Sequence, residues 1–151
     1  VVLSLKESSK AGIIEVDGKY AIINNRGKIL EVVDQVDSDL MFIKGLKIKN
    51  ALPGFYMEYE DTVSQDIFSE LTNAIRDKKI QGIKMLDVSD SSKIIMNYQD
   101  RININLGFPE KILYKIKTAS EILNNKIKDG EKGNLDLSLL LDNNRSYFSP
   151  A

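Results

Sequence analysis

Residues 101–127 read RININLGFPEKILYKIKTASEILNNKI. Ile102, Ile104 and Leu106 alternate with Arg101, Asn103 and Asn105, so a strand here has one apolar face and one wet face. Gly107 and Pro109 interrupt the alternation, and the period then changes. Ile112, Ile116, Ala119, Leu123 and Ile127 follow at the spacing of a helix that buries a single stripe. Pro109 is expected in the first helical turn, where its missing N–H costs nothing, and Gly130 marks the stop. A strand with one buried face feeding a helix with one apolar stripe predicts an α+β fold: a largely antiparallel mixed sheet with two helices packed on one face.

The same logic extends outward. A second helix is expected through Val63, Ile67, Phe68, Leu71, Ala74 and Ile75, opened by a capping box of Thr62 and Gln65 and closed near Lys78 and Lys79. Strands are expected at 20–23 and 28–33, joined by a turn at Asn24, Asn25, Arg26 and Gly27. Shorter extended pieces are expected at 41–43 and 46–48, with a turn at Pro53-Gly54. GIKMLDVSD and SKIIMNY supply two more strands, and Gln99-Asp100 is the tip of the hairpin into Ile102. The count comes to roughly eight strands and two helices, with no internal repeat.

The 151 residues suit one compact domain or one domain with a fragment attached. Lys and Arg number 21 and Asp and Glu 22, so no strong basic field favours nucleic acid. There is neither cysteine nor histidine, which removes histidine-based nucleophilic triads and the usual zinc ligands. No apolar run reaches the roughly 20 residues of a membrane helix. The chain opens on Val1 inside the strand-like VVLSLKES, which reads as the continuation of a longer protein, with any membrane anchor upstream.

Few residues offer chemistry. Glu58, Glu60 and Asp61 are the nearest approach to a carboxylate pair, yet acids at a helix start ordinarily compensate its dipole. Asp34, Asp37 and Asp39 lack the ordered ligands and sharp glycine turn of a calcium loop. Ser8, Ser9 and Lys10, like Ser91, Ser92 and Lys93, lack the S-x-x-K spacing of a serine–lysine nucleophile. No glycine run fits a phosphate cradle, and no cofactor is expected.

The carboxyl-terminal GNLDLSLLLDNNRSYFSPA remains. Residues 135–141 read as a closing strand, last in sequence and placed at a sheet edge. Leu137, Leu139, Leu140 and Leu141 carry no charge between Asp136 and Asp142. An unguarded apolar edge is an aggregation hazard or a docking site for a foreign strand. Two alternatives stand beside docking. One is a cell-wall glycan-binding or hydrolytic module built on Glu58–Asp61; the other is self-association of the edge into a symmetric dimer.

The order of elements resembles the extracytoplasmic C-terminal region of the FtsQ/DivIB bacterial cell-division proteins. VVLSLKES resembles the last strand of the family's preceding POTRA domain, placing residues 1–8 there and 9–151 in the C-terminal β domain. DGKYAIINNRGKILEVV resembles the family's hairpin, with Asn24 where Asp is usual. ININLG before PEKILYKIKTASEILNN, and KGNLDLS near the end, resemble its strand–glycine–helix unit and its closing strand. The resemblance implies a non-enzymatic, single-pass membrane scaffold, lying outside the membrane at the division septum. It would support septal peptidoglycan synthesis through the coiled-coil proteins FtsL and DivIC/FtsB. In the family a partner segment extends the sheet beside the last strand. Carried over, this marks Leu137, Leu139, Leu141, Tyr147 and Phe148 for partner binding.

Overall fold

The computed structural model describes residues 10–36, 39–78 and 80–151. The strand expected in VVLSLKES, the POTRA assignment of residues 1–8, and Asp37 and Lys79 lie outside them. The described residues form eleven strands and three helices. In chain order these are β1 (Gly12–Val16), β2 (Lys19–Ile23), β3 (Ile29–Val33), β4 (Met41–Lys44), β5 (Ile48–Asn50), β6 (Glu58–Tyr59), α1 (Thr62–Asp77), β7 (Ile83–Asp87), β8 (Ile94–Tyr98), β9 (Ile102–Gly107), α2 (Ile112–Asn125), β10 (Gly133–Asp136), α3 (Leu140–Asn143) and β11 (Tyr147–Pro150). Nine strands form one sheet in the order β11-β10-β9-β8-β7-β4-β1-β2-β3, and β5 pairs with β6 apart from it.

The sheet is mixed. Neighbours β10/β9, β7/β4 and β4/β1 run parallel and the others antiparallel. The parallel pairs β4/β7 and β9/β10 are joined through α1 and α2 respectively. Both crossovers start from strands of the same direction and step the same way along the sheet. A common right-handed connection therefore puts both helices on one face. They pack against each other there over a single core. This is the α+β fold expected from residues 101–127.

Side-chain alternation places the core. Ile102, Ile104 and Leu106 are fully buried beneath α2, whose Ile112, Ile116, Ala119 and Leu123 face them. On the opposite face Asn97 and Asn103 sit in register across the β8–β9 hairpin, and Asn97 Nδ2 donates to Asn103 Oδ1 at 2.9 Å. At the hairpin tip Gln99 and Asp100 have φ of 52° and 57°. Two left-handed residues in succession give the turn whose twist matches its flanking strands. The β2–β3 turn is as expected. Asn24 is buried, and its Oδ1 accepts from the N–H of Arg26 and of Lys28 at 3.0 and 2.9 Å. Gly27 has φ of 83°, a left-handed conformation that a side chain would strain.

Three helix boundaries differ from expectation. Asp61, not Thr62, caps α1: its extended backbone lets Oδ1 accept the Ser64 N–H at 2.7 Å. Pro109 precedes the second long helix instead of opening it. Lys111, at φ 47°, redirects the chain, and α2 starts at Ile112. That helix ends at Asn125, so Gly130 serves the following turn, with φ of 84°.

The largest difference is at the carboxyl end. The strand expected at 135–141 is β10 only as far as Asp136. Asp136 Oδ1 accepts from both Ser138 N and Ser138 Oγ, at 2.9 and 2.6 Å. That local turn takes the backbone out of the sheet, and the leucines after it coil into α3. Asn144, at φ 54°, ends α3 and reverses the chain into β11.

Candidate functional site

The sheet edge expected at the leucines is formed by β11. Its register with β10 is Gly133↔Pro150, Asn134↔Ser149, Leu135↔Phe148 and Asp136↔Tyr147. The N–H groups of Gly133 and Leu137 donate to Arg101 O and Asn105 O, so alternate residues of this segment point toward β9. Asn134 and Asp136 then face β11, and Ala151 N donates to Lys132 O at 2.9 Å in the same phase. By this alternation Tyr147 and Ser149 turn their backbone groups inward. Phe148 turns its N–H and C=O outward, and Pro150 turns out a C=O with no N–H beside it. β11 thus presents one outward donor, the Phe148 N–H, followed by two outward acceptors, the carbonyls of Phe148 and Pro150, and a proline that stops the ladder there.

β11 is held down by its side chains. The half-buried Phe148 ring packs on the core across Gly133. A Cβ on Gly133 would lie 3.0 Å from two atoms of that ring and would run into the Ser149 carbonyl oxygen. Glycine at this position leaves the space the aromatic ring fills.

The five residues marked in the sequence are thereby separated. Leu137 is fully buried, and its N–H is taken by Asn105 O, so it presents nothing to a partner. Leu139 (42% exposed) and Leu141 (37%) lie on the α3 turn and not on a strand edge. Tyr147 (44%) and Phe148 form the edge strand itself. Pairing of β10 on both sides removes the free flank expected for residues 135–141. Position 148 lies on the outer backbone row of the sheet instead. A signal for it was present: the turn-forming DNNRS ahead of an aromatic pair and a proline is a hairpin signature.

The end of α3 meets α2 where the Tyr114 hydroxyl donates to Asn144 Oδ1 at 3.4 Å. Lys115 is buried, and its Nζ donates to Phe108 O at 2.8 Å, fixing the loop that carries Pro109. Burial pushes the Lys115 amine below its ordinary value of 10.5, partly offset by the charges of Glu110 and Asp142. The folded state therefore binds this proton less tightly than the unfolded state. Its contribution is fully present above 10.5 and is lost as pH falls through the lower folded value. Stability should accordingly rise with pH through that interval, and Lys115→Met should flatten the rise. Urea midpoints of both proteins across the interval check this.

The carboxylates singled out earlier are engaged locally. Asp61 caps α1, and the Ser64 backbone N–H holds its carboxyl below the usual range. Glu58 accepts from Asn50 Nδ2 at 3.4 Å across β5–β6. Among the described residues no helix is long and apolar enough to cross a membrane, and no cluster of acidic residues has metal-site geometry.

No protein-family model matches the chain. It is 27% identical over 143 residues to the cell division protein DivIB of Clostridium tetani (strain Massachusetts / E88), a match covering 91% of this chain and 53% of that protein. The chain is similar to DivIB over most of its own length. It spans about half the length of the DivIB relative it matches. Among solved structures it is similar to the major extracytoplasmic domain of the trans isomer of DivIB from Geobacillus stearothermophilus. That comparison has a TM-score of 0.48 at 12% identity and covers 82% of this chain and 99% of the other.

Proposed function

We propose that this domain is a non-enzymatic divisome scaffold that receives a strand from a partner along β11. The observation that carries the reading is the backbone of Phe148. Its N–H and C=O face outward from the last strand of a nine-stranded sheet, beside an exposed Tyr147. A partner strand would satisfy these groups, and main-chain hydrogen bonds would supply the affinity. The likeness to DivIB supplies the cell-division context. The partners we assign are coiled-coil division proteins of the FtsL and DivIC/FtsB type, through which the scaffold supports septal peptidoglycan synthesis. The domain then works on the extracytoplasmic side of the cell membrane at the septum, anchored by a segment outside this chain. The local engagement of Asp61 and Glu58 supports a binding role over hydrolysis.

Amide hydrogen exchange tests the edge directly. On addition of a DivIC-type extracytoplasmic segment, the Phe148 amide should slow about tenfold or more, by the free energy of one new ladder bond or better. Ser149, bonded inward already, should change least. Protection confined to β3 at the far edge, or none on β11, would overturn the assignment.

A further inference from the structure

At the other end of the sheet from β11, a cleft of about 480 Å³ lies between the β2–β3 turn, β6 and α1. Its charge is unlike that of the rest of the molecule. The chain carries 22 acidic and 21 basic residues, yet the lining holds two guanidinium groups, Arg26 and Arg76, and no carboxylate. Arg26 makes no ion pair among the described residues. Arg76 donates through Nη2 to Asn73 Oδ1 at 3.1 Å, and its Nε lies 3.5 Å from Asp77 Oδ1, which leaves the rest of its fork open.

The other polar groups of the cleft can donate as well. The Tyr59 hydroxyl has no hydrogen-bond partner among the described residues, and burial pushes it up to about 12, so it keeps its proton. Asn25 and Gln65 add amide donors. The space between them is kept open by Gly27, where a Cβ would stand 3.0 Å from Met57 Cε and 3.2 Å from Tyr59 Oη. A concave site rich in donors, with two guanidinium groups and an aromatic wall, suits an anion attached to a compact body.

The neighbouring backbone limits the shape of that body. Ile29 N donates to Phe55 O, Gly54 N to Ile29 O and Met57 N to Gly27 O, at 2.8, 2.8 and 2.9 Å. The start of the β3 edge is thus already covered, and an extended peptide finds little free main chain to pair with there. We propose that this cleft binds a small carboxylate-bearing ligand, its carboxylate held by Arg26 and Arg76 and its body resting on Tyr56 and Met57. The site is separate from the strand edge, so the two can fail independently.

The test uses the full chain, labelled for NMR, titrated with glucuronate, with N-acetylglycine, and with N-acetylglycinamide, which lacks the charge. Saturable shifts of the Arg26 and Arg76 side chains and of Tyr59 are expected with either acid, and the tighter acid distinguishes a sugar acid from a peptide carboxylate. The neutral amide should bind about tenfold more weakly. Arg26→Gln and Arg76→Gln should each weaken the acids about fivefold or more, with unfolding midpoints unchanged because both side chains lie at the surface. No saturable shift with either acid, shifts indifferent to Arg26→Gln, or tighter binding of inorganic phosphate than of both acids would overturn the proposal.

Discussion

A Ser149→Pro chain is expected to lose partner binding by about a hundredfold while keeping its fold. The Ser149 N–H faces β10, opposite Asn134, so proline removes an inward ladder bond and wedges its ring against the neighbouring strand. β11 is only four residues long. Losing a ladder bond and part of the Phe148 contact amounts to about 2–3 kcal/mol, and a partner strand would have to supply that to re-form the edge. β10 remains paired to β9, so the unfolding midpoint should fall only modestly.

The companion change is an ester in place of the Phe148 amide, which lies close enough to the carboxyl terminus for semisynthesis. It deletes the outward donor and leaves the inward ladder and the ring intact. Binding should weaken about three- to tenfold, the worth of one hydrogen bond, with no loss of domain stability. Calorimetric titration of both proteins with the same partner segment gives the comparison. Full-strength binding by the Ser149→Pro protein would remove β11 from the interface.

The second large effect is on the fold. Ile104→Ala should destabilise the domain by about 2–5 kcal/mol, through lost transfer free energy and the cavity left behind. Ile104 is fully buried at the centre of β9, between β8 and β10 and beneath α2. At this chain length that corresponds to a fall in Tm of roughly 10 °C. Asn103→Ala, one residue away on the wet face, should cost no more than about 1 kcal/mol, the worth of its exposed hydrogen bond from Asn97. Thermal melts of the pair measure the contrast between the two faces of one strand.

That contrast also shows what local sequence could reveal. The alternation of residues 101–106 and the stripe from Ile112 to Ile127 identified strand, helix and buried face together, because each pattern records contacts repeated at a fixed period. The hairpins at Asn24–Gly27 and Gln99-Asp100 were legible for a related reason: few residues tolerate a left-handed backbone. Helix starts were less legible. Asp61 and Thr62 are both good caps, and only the backbone conformation of Asp61 decides between them.

The sequence by itself determined the α+β class, the core face of each long element and the family resemblance. Those follow from periodicity and turn chemistry, which act between near neighbours along the chain. Which strand lies at the sheet edge is a property of the assembled sheet, and only the tertiary structure decided it. LSLLL is apolar enough for a strand, but the hydrogen bonds from Ser138 to Asp136 divert it into α3, and Gly133 makes room for Phe148 to dock in its place. The arginine-lined cleft was equally out of reach, since Arg26 and Arg76 are brought together by packing α1 against a turn fifty residues away in sequence.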